Sequence, residues 1–277
     1  MKRRIAATFA LMNIFFAATS VYAASQEAEA SMLVTGKIEV SQDGSIRSYT
    51  FDHPEKLQDV VTKVVVKAMT AWRFKVTSGK PVKADFSMRL VAKPVDGKQF
   101  RVGIAGVDVT ESGDSANSVQ SLRRRVIVYP IEAAEAGVGG TVYLLVQVGK
   151  DGSTKNVAAE QVNLTARGDE KDMKRYRDVL ANAAIKTAKY WTYTIPTSGD
   201  QAKYSFWYVR IPVNFEMYGV GLPRREYGQW EAYVPGPRLP IAWLKQTPPY
   251  TSPDAIPAGG IAQVDRELTL LAPPEGP

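Results

Sequence analysis

His53 is the only histidine of this chain, and there is no cysteine. Those two counts remove most catalytic and metal chemistry at once. Without thiols there is no cysteine nucleophile, no disulfide framework and no zinc cluster, and one imidazole cannot supply paired metal or haem ligands. A general base near neutral pH would have to be His53. It stands in Asp52-His53-Pro54-Glu55, which reads as a capped helix start, where a histidine serves the cap or the surface. No serine occupies a Gly-x-Ser-x-Gly elbow, so the strained turn of an acyl-transfer nucleophile is missing. Gly137-x-Gly139-Gly140 precedes an alternating apolar run instead of opening a helix, the wrong order for cradling a phosphate. Asp169, Glu170 and Asp172 lack the alternating ligands and turn glycine of a calcium loop and suit the positive end of a helix. Arg123-Arg124-Arg125 reads as a solvated linker patch with reach for an acidic partner or lipid headgroups. No enzyme, cofactor, metal or nucleotide site is therefore expected.

Stepping outward, the chain has 277 residues, 45% hydrophobic and 10% aromatic, enough for one large domain or two modest ones. Its formal charge of +7 is partly a leader effect. Lys2, Arg3 and Arg4 precede an apolar run, Ile5–Phe16, and small residues lead to Val21-Tyr22-Ala23. This is the pattern of a secretory signal peptide over residues 1–23. Asn13, Thr19 and Ser20 make the same stretch a poor membrane anchor. Its removal takes away three positive charges and no negative one, leaving +4, a balance that does not call for nucleic acid. The expected location is the periplasm, and the lack of cysteine suits an oxidising compartment.

The elements that would position any site repeat. Leu57, Val60, Val61, Val64, Val65, Ala68, Met69 and Trp72 form one apolar helical stripe. Adding 119 to each number gives Tyr176, Val179, Leu180, Ala183, Ala184, Thr187, Ala188 and Trp191, a second stripe closed again by tryptophan. Upstream, Val34–Val40 alternates into Asp43-Gly44, and Val142–Val148 alternates into Asp151-Gly152. Alternation reads as a half-buried strand, and Asp-Gly as a tight hairpin turn. Second hairpin strands are expected at 46–51 and 154–162, further strands at 82–92 and 204–217, and a fourth strand of the first copy at 99–109. The fold class is thus α+β: two strand–strand–helix–strand units, residues 32–110 and 126–218, each one helix on a small antiparallel sheet. Residues 111–125 read as a linker. Residues 219–277 form a tail with 11 of the 17 prolines, expected to strap apolar surface as far as Leu244 and to be extended or disordered beyond Pro248.

Tyr129-Pro130-x-x-Ala133, Gly140-x-Val142, Asp151-Gly152 and Trp191-Thr192-Tyr193 occur in that order. The set resembles the C-terminal domain of TonB, the periplasmic energy transducer of Gram-negative bacteria, over roughly residues 126–217. Asp43-Gly44 and Trp72-Arg73-Phe74 extend the resemblance to residues 32–92, a copy with no Tyr-Pro segment ahead of it. The chain departs from complete transducers in three ways. Its first segment resembles a cleaved leader; about ten residues, Ala24–Leu33, stand where transducers carry a long Pro-rich spacer; and the tail is extra. At ~3.3–3.6 Å per residue so short a spacer cannot cross a periplasm. The resemblance implies an interaction role without complete energy transduction: recognition of an envelope or outer-membrane protein by strand addition. A peptidoglycan- or glycan-binding module is the alternative.

A docking place follows from Pro212, which breaks the alternation of 204–217 and marks an edge strand. A free row of backbone groups is expected along Tyr204–Arg210, ending before Pro212. Tyr204, Phe206, Tyr208 and Arg210 would supply the exposed side chains, and Val209 is the position where a proline would block pairing.

Overall fold

In the computed structural model the described residues are 29–76, 79–96, 99–112, 115–217, 226–244, 251–264 and 268–271. The expected signal peptide lies outside them. No helix among them is long and apolar enough to cross a membrane.

The first half runs β1 (Glu29–Val40), β2 (Ile46–Phe51), α1 (Asp59–Ala71), β3 (Phe74–Val76), β4 (Val82–Asp96) and β5 (Gln99–Glu111). β1 pairs antiparallel with β2 on one side and with β4 on the other, and β5 continues the sheet beyond β4. Alternate residues Met32, Val34, Ile38 and Val40 face α1, whose Val61, Val65, Ala68 and Met69, with Trp72, close the first core. The helix begins later than the sequence suggests. Pro54–Lys56 forms a separate 3₁₀ turn, His53 takes φ +49°, and Gln58 is the residue before the helix. Asp52 accepts from Thr35 Oγ1 at 2.7 Å instead of capping, and Val60 is left exposed.

The second half begins in the expected linker. β6 (Gln120–Arg123) is followed by an unpaired stretch to α2 (Ile131–Glu135), then β7 (Gly140–Gly149), β8 (Thr154–Leu164), α3 (Glu170–Ala188), β9 (Thr192–Thr194) and β10 (Phe206–Phe215). β7 lies between β8 and β10. Here the helix start is as expected: the Asp169 side chain accepts from the Asp172 N–H at 2.8 Å. Val142, Leu144, Val146 and Val148 pack under Leu180, Ala184, Ala188 and Trp191, with Trp207, Ile211 and Phe215 from β10.

One corner is built alike in both halves. Gly44 and Gly152 adopt φ +82° and +72°. The N–H of Phe74 donates to the Gly44 carbonyl, and that of Tyr193 to the Gly152 carbonyl, each at 2.8 Å. A Cβ on either glycine would lie 2.0 or 2.3 Å from the carbonyl oxygen of that same Phe74 or Tyr193. Only glycine fits. The turn is therefore fastened to the backbone of the second residue after each tryptophan, whose aromatic side chain is buried in the core of its own half.

The expectation for the tail and linker is corrected. β11 (Glu231–Tyr233) pairs with the start of β1, β12 (Ala262–Gln263) with β10, and β13 (Leu268–Leu270) with β3. Among the described residues past Pro248, Pro253, Asp254 and Ala255 are buried, and Leu268 and Leu270 join the first core. Within the linker, Gln120–Arg123 pairs with β9. The result is a mixed α+β fold of several small antiparallel sheets and three helices, with the tail crossing both halves. The Tyr218–Arg225 part of the tail lies outside the described residues.

Candidate binding cleft

Of the edge expected at Tyr204–Arg210, the part from Tyr208 to Arg210 is occupied by the chain itself. Val209 pairs with Gln263 and Arg210 with Ala262, and the Val264 N–H donates to the Tyr208 carbonyl at 2.8 Å. This outer pairing stops two residues short of Pro212. Of the five expected site residues, Tyr204 and Phe206 are about two-fifths exposed. Tyr208 is buried against Trp243, rings stacked at 5.7 Å, and its hydroxyl donates to the Trp243 carbonyl at 3.1 Å. Val209 faces the second core and is fully buried. Arg210, expected to be exposed, is buried in an ion pair. The sequence shows an alternating strand with an aromatic second face. It does not show that the chain's own tail is the partner of that face and edge.

Arg210 belongs to a buried polar cluster that the sequence reading missed. Its Nε and Nη2 meet the two oxygens of Glu160 at 2.6 and 3.0 Å, and Arg238 of the tail reaches Glu160 Oε1 at 2.6 Å. Arg210 Nη1 donates to Thr251 Oγ1 at 3.1 Å, and Arg238 Nη1 to the Thr251 carbonyl at 3.2 Å. Nearby, the Ser252 hydroxyl donates to Asp254, Asn163 Nδ2 approaches Asp254 Oδ2 at 3.4 Å, and the Gly236 N–H donates to Asn163 Oδ1 at 2.9 Å. These groups bind tail to sheet and to one another, so their chemistry is clamping. The one signal in the sequence was Glu160-Gln161 set between the apolar residues Val157-Ala158-Ala159 and Val162.

Where the two halves approach there is an open cleft of about 1000 Å³. β1 and β4 contribute Leu33, Thr35 and Arg89; β7 and β10 contribute Thr141, Pro212 and Asn214; the tail contributes Tyr227 and Ile256–Gly259. Three arginines line it. Arg89 donates from Nε to the Asp254 carbonyl at 2.9 Å and from Nη1 to Ser31 Oγ at 2.7 Å, with its guanidinium 5.7 Å from the Tyr233 ring centre. Arg124 lies 5.5 Å from the Trp191 ring and donates to the carbonyls of Gly259 and Gly260, both at 3.3 Å. Burial pulls its pKa below the ordinary arginine value. Arg125 sits 4.8 Å over Tyr190. Among the described residues none of the three has a carboxylate in ion-pair reach. The arginine run is thus not a plain solvated linker patch: Arg123 ends β6, and the next two side chains stack on the aromatics flanking the end of α3.

His53 is exposed, with Nδ1 3.4 Å from Glu55. Gly137 turns the chain at φ +66° between α2 and β7, with no helix following the glycines. No group of three or more His, Cys, Asp or Glu among the described residues is arranged to hold a metal ion. Comparison with protein families, curated proteins and solved structures finds no match.

Proposed function

We propose that the chain is an exported, periplasmic binding protein made of two units of the TonB C-terminal type. On this reading it recognises an extended segment of an envelope or outer-membrane protein and is not itself a complete energy transducer. The observation that carries a binding role is the cleft between the halves, bordered by a stretch of backbone and by three arginines that have no pairing group and no carboxylate partner, respectively, among the described residues. Support for the family assignment comes from the repeated corner, in which Gly44 fastens Phe74 and Gly152 fastens Tyr193. It also comes from Tyr129, whose hydroxyl donates to the Val138 carbonyl at 2.9 Å while its ring meets Phe215 edge-on. Because the tail takes the Tyr208–Arg210 part of the outer edge of β10, the partner is received in the cleft.

Cell-wall glycan binding is the second reading. It is favoured by the aromatic row Phe206–Tyr208–Trp243, of which Phe206 is open to solvent beside Tyr204; such ring faces stack on sugars. Cell fractionation tests export: periplasmic release of a chain starting near Ala24 is the expected result. Immobilised protein challenged with envelope extract, beside co-sedimentation with purified cell wall, separates the two binding modes. Retention by cell wall alone would cost the protein-binding reading its case.

A further inference from the structure

We propose that the cleft takes an extended peptide segment of a partner protein, pairing with the backbone of Val126–Val128 and carrying carboxylates at the end beside Arg125. The proposal rests on the protein-binding reading above and deepens it.

The stretch from Arg124 to Pro130 belongs to no sheet. Its side chains nevertheless alternate as in a strand: Ile127 and Tyr129 pack against the second core, whereas Val126 and Val128 are 91% and 80% exposed. Two anchors hold it. Trp191 Nε1 donates to the Arg125 carbonyl at 3.1 Å, and the Tyr129 hydroxyl donates to the Val138 carbonyl. In extended backbone, the hydrogen-bonding groups of alternate residues point to the same edge. With the Arg125 carbonyl turned to Trp191, the N–H and C=O of Val126 and Val128 point to the opposite edge. Among the described residues none of the backbone groups of Val126–Val128 has a hydrogen-bond partner. A fixed row of unpaired donors and acceptors with exposed β-branched side chains is a template for another strand. Elsewhere the tail covers such rows, on β1, β3 and β10; it leaves this one open.

Charge selects the occupant. Arg124 and Arg125 continue directly into the open row, and Arg89 faces the same cleft. Stacking on Trp191 and Tyr190 fixes the first two in place before any ligand arrives, and a guanidinium so held meets a carboxylate at little further entropic cost. Glu216, Glu226 and Glu231 also line the cleft. A uniformly acidic peptide is therefore disfavoured, and the carboxylates belong at one end.

The test is fluorescence polarisation on the whole chain with labelled heptapeptides of alternating valine and threonine. They carry two aspartates at either the N-terminal or the C-terminal end, two lysines instead, or the aspartates with alternate backbone nitrogens methylated. One aspartate peptide is expected to bind, and which one reports the strand direction. Lysines or N-methylation should weaken binding at least tenfold. Val126→Pro should do the same with an unchanged melting temperature, and Arg125→Gln should weaken binding and flatten its dependence on salt. Absence of binding by both aspartate peptides overturns the proposal, as does equal binding by the N-methylated peptide, which needs no variant to fold. Envelope proteins captured equally by wild type and Val126→Pro would remove this site while leaving the protein-binding reading intact.

Discussion

The two halves share one frame and differ in what lies on the far side of their sheets. In each, a hairpin, a helix ending at a tryptophan, a three-residue strand and a long returning strand follow in order, and the hairpin's first strand becomes central. In the first half the far face is partly open. Lys37 and Asp85 form an ion pair at 2.6 Å in solvent, and β2 is exposed through Arg47–Thr50. In the second half the far face is as dry as the core: Tyr143, Leu145 and Tyr208 are buried, and Glu160 and Arg210 are 3% exposed. The frame fixes only the helix-facing half of each strand. The other half is free to take charges where water meets it, or aromatics and a neutralised ion pair where the tail does.

The largest effects should come from the residues that close each helix. Trp72→Ala or Trp191→Ala removes a buried indole at a cost of about 3–5 kcal/mol. Because β11 and β13 bind the tail to the first half and β12 binds it to the second, calorimetry is expected to show one shared transition. Two transitions, only one of them shifted, would mean that the tail does not couple the halves.

Next comes the contrast of ion pairs. Glu160→Gln leaves Arg210 buried without its counter-charge, and removing one partner of a buried pair costs about 3–5 kcal/mol. Asp85→Asn in the first half should leave the melting temperature unmoved, since exposed pairs contribute little. Equal shifts for the two would erase the distinction drawn between the far faces. Gly44→Ala and Gly152→Ala are expected to cost more than about 1 kcal/mol each, and similarly, because both combine positive φ with a carbonyl contact. A harmless substitution at either glycine would show that the two corners are not equivalent.

The smallest effect sharpens the comparison most. Phe74 in the first half corresponds to Tyr193 in the second, and the Tyr193 hydroxyl is buried with no hydrogen-bond partner among the described residues. Burial pushes its pKa up to about 12. A tyrosine that holds its proton more tightly when folded contributes stability below its unfolded pKa of about 10 and loses it as pH rises towards 12. Removing the unpartnered buried hydroxyl, Tyr193→Phe should stabilise by about 1 kcal/mol at neutral pH, and removing the titrating group should take away part of the alkaline decline between pH 10 and 12. Urea melts across that range check both.

The long strands and the two long helices, α1 and α3, are legible because their periodicities are long and uninterrupted. Ile46–Phe51 was read at its observed bounds. Features set by distant contacts or too short for a period are not. The start of α1 was read at Asp52 because its cap pattern is sound, yet Asp52 finds Thr35 across the hairpin, a contact that local sequence does not show. β3 and β9 hold three residues each, too few for any period, and exist because β13 and β6 come to them from distant sequence. The expected docking edge failed for the same reason. Alternation and Pro212 describe β10 alone, whereas its occupant lies some fifty residues on, in a Pro-rich stretch with no pattern to identify it. Val126–Val128 falls at the very start of the expected second unit, just past the expected linker, and is too short to show a period.

The tail also sets a schedule for folding. Tyr227 bonds the backbone of Thr35 across 192 positions, and Leu268 pairs with Val76. Contacts so distant along the chain form slowly, since a long loop must close before they return any energy. As the ribosome delivers the chain, each half can gather around its own helix, yet β3 lacks its pairing strand and β10 its outer neighbour until residues 262–270 have been made. For that interval several strand edges stand uncovered together, and they can pair with other copies as readily as with the missing tail. Slow synthesis or early termination should therefore be felt first as aggregation.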